Sequence, residues 1–155
     1  MKNPFMARAI QLSIENVRSG RGGPFGAVVV KKGAAIAEGT NQVTSTNDPT
    51  AHAEILAIRA ACSKLGVFNL SGCEIYTSCE PCPMCLGAIY WARLTCVYFA
   101  NGNADASKIG FDDSFIYREF SLPGAQRKIP MIQMMRDEAL VAFREWEDKP
   151  NKIEY

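Results

Sequence analysis

Apolar residues recur with a helical period near both ends of the chain. Between Phe5 and Ser19 they occupy positions 6, 10, 14 and 17, and Gly20 is a suitable helix end. Near the C-terminus, RDEALVAFREWEDK has the same kind of pattern, ahead of the tail PNKIEY. The sequence therefore predicts an amphipathic helix close to each end.

A second helix is predicted to begin just before His52. Asp48 and Pro49 offer N-cap and first-turn chemistry, and an apolar face at positions 51, 55, 58, 62 and 65 continues until Gly66. This prediction places His52 in the first turn of a helix.

Short runs of small and β-branched residues predict strands between the helices. FGAVVVK and AAIAEGTN, joined at Lys32-Gly33, predict a β-hairpin. CEIYTS and TCVYFA predict two buried strands, with a helix from Pro83 to Arg93 between them. Strand and helix alternate here as in parallel α/β units. We therefore expect an α/β protein with a mixed sheet.

The region beyond residue 100 has a weaker pattern. NGNADASKIG is expected to be a loop, DDSFIYREF a short helix and IPMIQM an edge strand that contains Pro130. No internal repeat or linker divides the chain, and 155 residues is the size of one ordinary domain. We expect a single domain over residues 1–155.

The charge balance and the N-terminal sequence indicate which partners and which location to expect. The chain has 17 basic and 16 acidic residues, a formal charge of +1, and neither sign forms a long block. Such a balance does not favour nucleic acid or an anionic membrane as partner. The first twenty residues lack the unbroken apolar stretch of a signal peptide or membrane span, so we expect a cytoplasmic protein.

The chain has six cysteines and a single histidine, which are its candidate zinc ligands. Without an export signal, buried thiols and metal ligands are favoured over three disulfides. Cys82 and Cys85 are three apart at a predicted helix start, where both sulfurs share one face and the helix dipole favours thiolates. His52 could supply a third ligand if the two helix starts face each other. Tetrahedral Zn²⁺ would then keep one position open for water, as in catalytic sites.

The remaining cysteines need separate interpretations. Cys79 would close a four-ligand structural site, but it lies on the strand side of Glu80-Pro81, so we expect an unligated thiol near the metal. Cys62, Cys73 and Cys96 fall in apolar patterns and are expected in the core.

Glu54 has two interpretations. It could be a first-turn glutamate that complements the helix dipole. Beside zinc, its carboxylate could instead accept a proton from water whose pKa the metal lowers to about 7. Taken alone, the first role is favoured. Beside zinc the second is favoured, since it gives a nucleophile and a proton carrier in one pocket.

The pattern His52-Ala53-Glu54 followed by Pro81-Cys82-Pro83-Met84-Cys85 is the signature of zinc nucleobase deaminases. On this signature the chain resembles the cytidine deaminase superfamily. From PFGAVVV through NDPTAHAE and TSCEPCPMCLGAIYWAR to GFDDSFIYRE it is similar to the bacterial guanine deaminases within it. The resemblance covers essentially the whole chain.

The resemblance implies a fold and an activity. The fold is a three-layer α/β/α cytidine deaminase-like arrangement with a mixed, mainly five-stranded sheet flanked by helices. The activity is the hydrolytic conversion of guanine to xanthine and ammonia, in purine catabolism or salvage, with one Zn²⁺ per chain. Residue types and spacing alone do not select guanine over cytosine or adenine.

The resemblance also assigns substrate contacts. Asn41 could be a turn residue, but the family suggests that it hydrogen-bonds an edge of the base. Phe25 and Trp91 could be ordinary core aromatics, but the family places Phe25 near the pocket and Trp91 on or beside its wall. Ala53, between the histidine and the glutamate of the motif, belongs to the same substrate-binding set.

The acidic pair and the C-terminus are assigned in the same way. Asp112 and Asp113 could both cap the helix of DDSF, but the family suggests that Asp113 contacts the guanine amino group and assists its departure.

Tyr155 would ordinarily be a disordered end. In similar proteins the C-terminal segment closes over an active site, often that of a partner subunit. We therefore expect a homodimer in which residues 150–155 are swapped and Tyr155 forms part of a lid.

Two other functions remain open from the sequence. A tRNA adenosine deaminase of the same superfamily shares the style of the motif, although it should carry a basic surface. A non-catalytic module in which zinc only ties two helices together is the other alternative. Metal content together with ammonia release from guanine tests the structural module, and a side-by-side assay of purine and pyrimidine substrates with a tRNA anticodon stem tests the tRNA deaminase.

Overall fold

The computed structural model describes residues 3–155, whose helices and strands alternate along the first two thirds of the chain. The elements are α1 (Pro4–Arg18), β1 (Gly26–Lys31), β2 (Ala34–Thr40), α2 (Val43–Thr46), α3 (Ala53–Leu65), β3 (Cys73–Cys79), α4 (Pro83–Trp91), β4 (Cys96–Asn101), α5 (Asn103–Lys108), α6 (Ser114–Ser121), a 3₁₀ turn (Gly124–Gln126) and α7 (Arg136–Asp148). Within residues 3–155, no helix combines the length and the apolar character needed to cross a bilayer.

A four-stranded mixed sheet organises the described chain, in the order β2-β1-β3-β4. β1 pairs antiparallel with β2 and β3, and β3 pairs parallel with β4. The predicted hairpin is confirmed: Lys32 and Gly33 both have positive φ, at 50° and 73°, as a tight two-residue turn between antiparallel strands requires. The predicted α/β class with a mixed sheet is confirmed as well.

Helices cover both faces of this sheet, which gives the three-layer arrangement. On one face Val28 and Val30 of β1 pack with Ala9 and Leu12 of α1. On the other face the alternate residues of β1 pack with α3 and α4 in a second buried cluster. Because successive strand residues point to opposite faces, a strand with both faces covered is a continuous apolar run, and Ala27 to Val30 are all 2% exposed or less.

The expected count of mainly five strands is wrong for the described residues, which form four. IPMIQM, predicted as an edge strand, has no regular secondary structure. Pro130 lacks an amide donor, and the amide of Met131 donates to the carbonyl of Gly124, 3.3 Å away, instead of to a neighbouring strand.

The helix that carries His52 begins later than the sequence suggested. α3 starts at Ala53 and His52 is its N-cap residue. The Asp48 carboxylate does not cap this helix. It accepts hydrogen bonds from the amide and the hydroxyl of Thr50, at 2.8 and 2.7 Å, in a local turn of the kind that aspartate favours. Gly66 ends α3 with a φ of 65°, as predicted.

Two short helices, α2 and α5, occupy segments with no predicted helix; α5 lies in the expected loop NGNADASKIG. At four and six residues they are too short to show a helical period. The other helices agree with their predicted positions to within a few residues.

The described chain divides into two compact units. The first reaches Ser114 and contains the whole sheet with α1 to α5. The second, Phe115–Tyr155, contains most of α6, the 3₁₀ turn and α7. That both belong to a single domain stays a prediction.

Candidate functional site

The single histidine and two cysteines meet between the starts of α3 and α4. His52 Nδ1 lies 3.6 Å from Cys82 Sγ and 3.5 Å from Cys85 Sγ. All three donor atoms lie within 4.8 Å of one another, and among residues 3–155 this is the group that could hold a metal ion. The predicted ligand set is therefore brought together across 30 residues of sequence.

Two helix N-termini position these donors. His52 is the N-cap of α3, Cys82 is the N-cap of α4, and Cys85 lies in the first turn of α4. Pro83 at the first helical position has its φ already set for a helix, so the turn that presents both sulfurs starts from a restricted backbone. The His52 side chain makes no capping bond to α3, which leaves its ring for other contacts.

The donor set fits zinc. Zn–S bonds of about 2.3 Å and Zn–N bonds of about 2.0–2.1 Å at tetrahedral angles imply a sulfur-to-nitrogen separation of about 3.6 Å. The distances of 3.5 and 3.6 Å agree with this requirement. Two sulfurs and one imidazole nitrogen are also ligands that zinc prefers, and three protein ligands are typical of catalytic rather than structural zinc.

The pKa values of the two thiols shift in opposite directions. A hydrogen bond with Cys85, and then one with His52, lowers the pKa of Cys82 to about 4, although burial opposes the change. The same contact between the cysteines raises the pKa of Cys85 above its ordinary value. These opposite directions reflect the close approach of the two sulfurs, and cysteine binds a metal ion as its thiolate.

Cys79 lies apart from the three donors. Its Sγ is 4.0 Å from the carbonyl oxygen of Gly102 and acts as a weak donor to it. Burial raises the pKa of its thiol to about 11, with the charge of Glu54 adding to the effect. Within the described residues, the metal-ligating group does not include Cys79. This arrangement agrees with the expected unligated thiol.

Two carboxylates are influenced electrostatically by the donor group. Glu54, in the first turn of α3, is only 7% exposed, and burial raises the pKa of its carboxyl. It lies beside the Cys85 thiol, which acts on its pKa in the opposite direction. Asp113 is half-buried, and burial followed by the charge of Cys82 raises the pKa of its carboxyl. Both groups can therefore exchange protons nearer to neutral pH than an exposed carboxylate.

Asn41 ends the hairpin at a buried position. Its side chain is 6% exposed, and its Oδ1 accepts from the amides of Gly23 and Val43, both at 3.3 Å. The backbone N–H of Asn41 donates to the carbonyl of Phe25 at 3.1 Å. These bonds engage the amide oxygen and leave the two Nδ2 hydrogens as the donors that Asn41 could offer to a ligand.

The Phe25 ring meets a residue that sequence reasoning missed. Phe111 packs edge-on against it, with ring centres 4.9 Å apart and an interplanar angle of 88°. This contact ties the loop that contains Asp113 to the start of β1. Its only sequence signal was an aromatic residue directly before the two aspartates.

Ala53 packs deep beside the donor group. It is 1% exposed, and its carbonyl lies so close to Gly39 that a Cβ at that position of β2 would overlap it. A glycine is therefore required where the strand passes the start of α3.

Trp91 and Tyr155 lie away from the donors or outside the first unit. Trp91 is the last residue of α4, six residues beyond Cys85, which is about 9 Å along the helix axis. It is 68% exposed. Tyr155, in the second unit, is 72% exposed. Their pocket roles stay predictions.

Comparison with known proteins gives consistent results. The sequence model described as the cytidine and deoxycytidylate deaminase zinc-binding region matches residues 1–101. The guanine deaminase of Bacillus subtilis (strain 168) is 57% identical over 151 residues, which is 97% of each chain. The X-ray structure of guanine deaminase from Bacillus subtilis superposes with a TM-score of 0.96 at 56% identity, covering 100% of this chain and 99% of that one.

A relative that is named for a different substrate matches only part of the chain. The tRNA-specific adenosine deaminase of Aquifex aeolicus (strain VF5) is 47% identical, but only over 77 residues, 50% of this chain and 51% of that protein. The match over residues 1–101 and the near full-length identity show that the chain belongs to the cytidine and deoxycytidylate deaminase family, with its zinc-binding domain.

Proposed function

We propose that the chain is a zinc-dependent hydrolase that converts guanine and water to xanthine and ammonia. The observation that carries this proposal is the buried Glu54 carboxyl beside three donors spaced for tetrahedral zinc. Three protein donors leave one coordination position for the reaction, whereas a zinc that only ties helices together uses four protein ligands.

Guanine is favoured over a tRNA adenosine by the extent of the similarities. The relative named guanine deaminase matches 97% of the chain, and the match to the tRNA-specific adenosine deaminase covers half of it. The formal charge of +1 also supports a small base over a polyanion, since tRNA binding depends on clustered basic residues.

Glu54 is the proton carrier in this proposal. Zinc, when bound by His52, Cys82 and Cys85, supplies Lewis acidity that activates water near neutral pH. Glu54 removes a proton from the attacking water and delivers it to a ring nitrogen of guanine, while the oxygen adds to C2. Its buried position, which raises the pKa of its carboxyl, suits a group that must both accept and release a proton.

In this proposal the base is held by residues of three loops and of the start of α3. Asn41 offers its Nδ2 hydrogens to an acceptor edge of the purine, and Phe25 and Ala53 line the pocket. Asp113 contacts the amino group at C2 and assists its departure as ammonia. The edge contact of Phe111 on Phe25 supports this arrangement, because it connects the loop of Asp113 to the segment that carries Phe25.

We further propose a homodimer in which residues 150–155 cross to the partner subunit. Tyr155 would then close the partner's pocket and exclude bulk water, and Trp91 would lie beside the pocket wall. The exposure of Tyr155 and the absence of any buried residue from 115–155 support a role for an additional chain in covering this unit. All six cysteines are free, which agrees with a cytoplasmic location.

A side-by-side assay of ammonia release tests the proposal. The purified protein, with its zinc content measured, is given guanine, guanosine, adenine, cytosine, cytidine and a tRNA anticodon stem. We expect one zinc per chain and release from guanine well above the others. Zinc without release from any substrate would indicate a structural module, and release from the tRNA stem alone would indicate a tRNA deaminase.

A further inference from the structure

Asn16 of α1 is a fully buried amide that joins two distant segments. Its side chain is 0% exposed. Its Nδ2 donates to the carbonyl of Gly23 at 2.9 Å and to the carbonyl of Asn41 at 2.8 Å. One side chain on a helix therefore holds the loop before β1 and the end of β2.

The two segments held by Asn16 are the ones that carry proposed substrate contacts. They also bond each other, through the amide of Gly23 to Asn41 Oδ1 and the amide of Asn41 to the carbonyl of Phe25. The approach is so close that a Cβ on Gly22 would overlap the Asn41 carbonyl. Asn16 thus clamps the backbone on which the Asn41 amide and the Phe25 ring are mounted.

The side-chain oxygen of Asn16 has no hydrogen-bond partner in the described part of the chain, which points to the Nδ2 donors as the reason for an asparagine at this position. Among residues 3–155, Asn16 Oδ1 is the buried side-chain nitrogen or oxygen that has no hydrogen-bond partner. Burying an unpaired carbonyl opposes folding, and an apolar side chain at this position would avoid that cost. An asparagine is therefore favoured here by its two donors and not by its contribution to the core.

We propose that Asn16 is a positioning residue that sets the substrate edge of the pocket by fixing the backbone of Asn41 and of the 22–25 loop. The proposal rests on the proposed function, since it takes guanine as the ligand that Asn41 and Phe25 contact. Asn16 itself touches no substrate: it acts through the two carbonyls that it holds.

Ligand affinity distinguishes positioning from a purely structural role. A purely structural residue changes how much protein is folded, but each folded molecule keeps the native pocket and the native affinity. A positioning residue changes the pocket in molecules that are folded, so affinity falls. KM and the dissociation constant are suitable measures because neither scales with the amount of active protein.

The experiment compares Asn16→Ala with a matched control on the same helix. Ser13 is also buried, at 8% exposure, but its hydroxyl donates within its own helix, to the carbonyl of Ile10 at 2.7 Å. Ser13→Ala therefore removes a buried polar group of α1 without releasing the clamped segments. Zinc content, melting temperature, kcat and KM for guanine are measured for the parent and both variants. The dissociation constant of guanine is then measured by calorimetry in a Glu54→Gln background.

We expect Asn16→Ala to weaken guanine binding at least tenfold with zinc retained, and Ser13→Ala to match the parent. Equal dissociation constants for the two variants would overturn the positioning role even if the melting temperature of Asn16→Ala falls.

Should Asn16→Ala fail to fold, Asn16→Asp keeps the shape and carries the test, because only its protonated carboxyl can donate. Its guanine affinity relative to the parent should rise as the pH falls; a ratio that stays constant with pH would overturn the proposal. A parent protein that neither binds nor deaminates guanine would instead contradict the proposed function.

Discussion

Two amphipathic helices, α1 and α7, show how differently the two units of the chain are covered. α1 has 15 residues and buries four of them, including Leu12 and Asn16. α7 has 13 residues and buries none. The contrast extends through residues 115–155, where no residue is buried and Ile132 and Phe143 are 80% and 74% exposed.

The difference teaches that a helical apolar stripe predicts a helix but not what covers it. In the first unit the sheet supplies the covering surface, and the candidate site is assembled on that buried framework. In the second unit one chain leaves the apolar side chains exposed, an arrangement that usually marks an interaction surface. We therefore expect perturbations of the first unit to affect folding and chemistry, and those of the second to affect substrate closure or association.

Metal removal should have the largest effect and should be confined to the first unit. Chelation is expected to abolish ammonia release from guanine and to lower the free energy of unfolding, because the metal binds only the folded site. Hydrogen exchange should increase around residues 52–58 and 82–89 and stay unchanged in 136–148. Cys82→Ser should act like chelation, whereas Cys96→Ser, outside the donor group, should keep its zinc. Equal exchange increases in both ranges would remove the distinction between the units.

Replacing the buried carboxylate should have the next largest effect. Glu54→Gln keeps the size of the side chain but removes the proton acceptor, so kcat for guanine should fall by about 10²–10⁴-fold with zinc retained. Glu145→Gln makes the same chemical change on the exposed α7 and should leave kcat near that of the parent. Near-normal turnover by Glu54→Gln would exclude this residue as the proton carrier.

A pair of truncations to alanine compares the two units in stability. Ile75 is 0% exposed, so Ile75→Ala should reduce the free energy of unfolding in urea by about 2–5 kcal/mol. Phe143→Ala removes a ring that is exposed within one chain and should cost about 0.5 kcal/mol or less at protein concentrations low enough for the chain to be monomeric. A cost for Phe143→Ala as large as that for Ile75→Ala, and increasing with protein concentration, would mean that a partner covers this ring in solution.

Deleting the C-terminal tail should have a smaller free-energy effect than the changes at the metal donors, at Glu54 and at Ile75. Deleting residues 151–155 touches neither the zinc donors nor the buried clusters, so the melting temperature and zinc content should be unchanged. Turnover of guanine should fall by about tenfold or more, equal to ~1.4 kcal/mol of transition-state stabilisation, because the pocket loses its proposed lid.

Mixing the truncated chain with a full-length Glu54→Gln chain tests whether the tail acts in the partner. Neither chain should be fully active alone, and activity should return in the mixture if Tyr155 of one subunit closes the pocket of the other. Parent-like turnover by the truncated chain on its own would show that the tail does not form a lid.

Much of the site was predictable because its signals are local. The spacing of Cys82 and Cys85 places both sulfurs on one turn of helix in any fold that keeps that helix. Pro83 and the apolar run after it predicted where the helix lies. Asp48 shows the limit of such reasoning: aspartate favours helix caps and local turns alike, and here it forms the turn with Thr50.

The missed contacts are all between segments far apart in sequence. No spacing rule joins Asn16 to the carbonyl of Asn41, or the ring of Phe111 to that of Phe25. The prediction of a fifth strand was wrong for a related reason. Period and composition show that a segment could pair in a sheet, but pairing also requires free amides and a neighbouring edge.

The sequence by itself determined the donor types, the positions of the strands and the helix that carries each donor, because side-chain chemistry and periodicity act over a few residues. It did not determine burial: β3 is buried as predicted, but β4, also predicted to be buried, is mostly exposed, with Phe99 at 49%. Only the tertiary structure decided that the N-caps of α3 and α4 meet, with His52 Nδ1 3.5 and 3.6 Å from the two sulfurs. It also decided that Glu54 is buried beside them and that Asn16 clamps two loops. The physical reason is that these distances depend on strand order and on helices packing against a shared sheet, which no local stretch of sequence specifies.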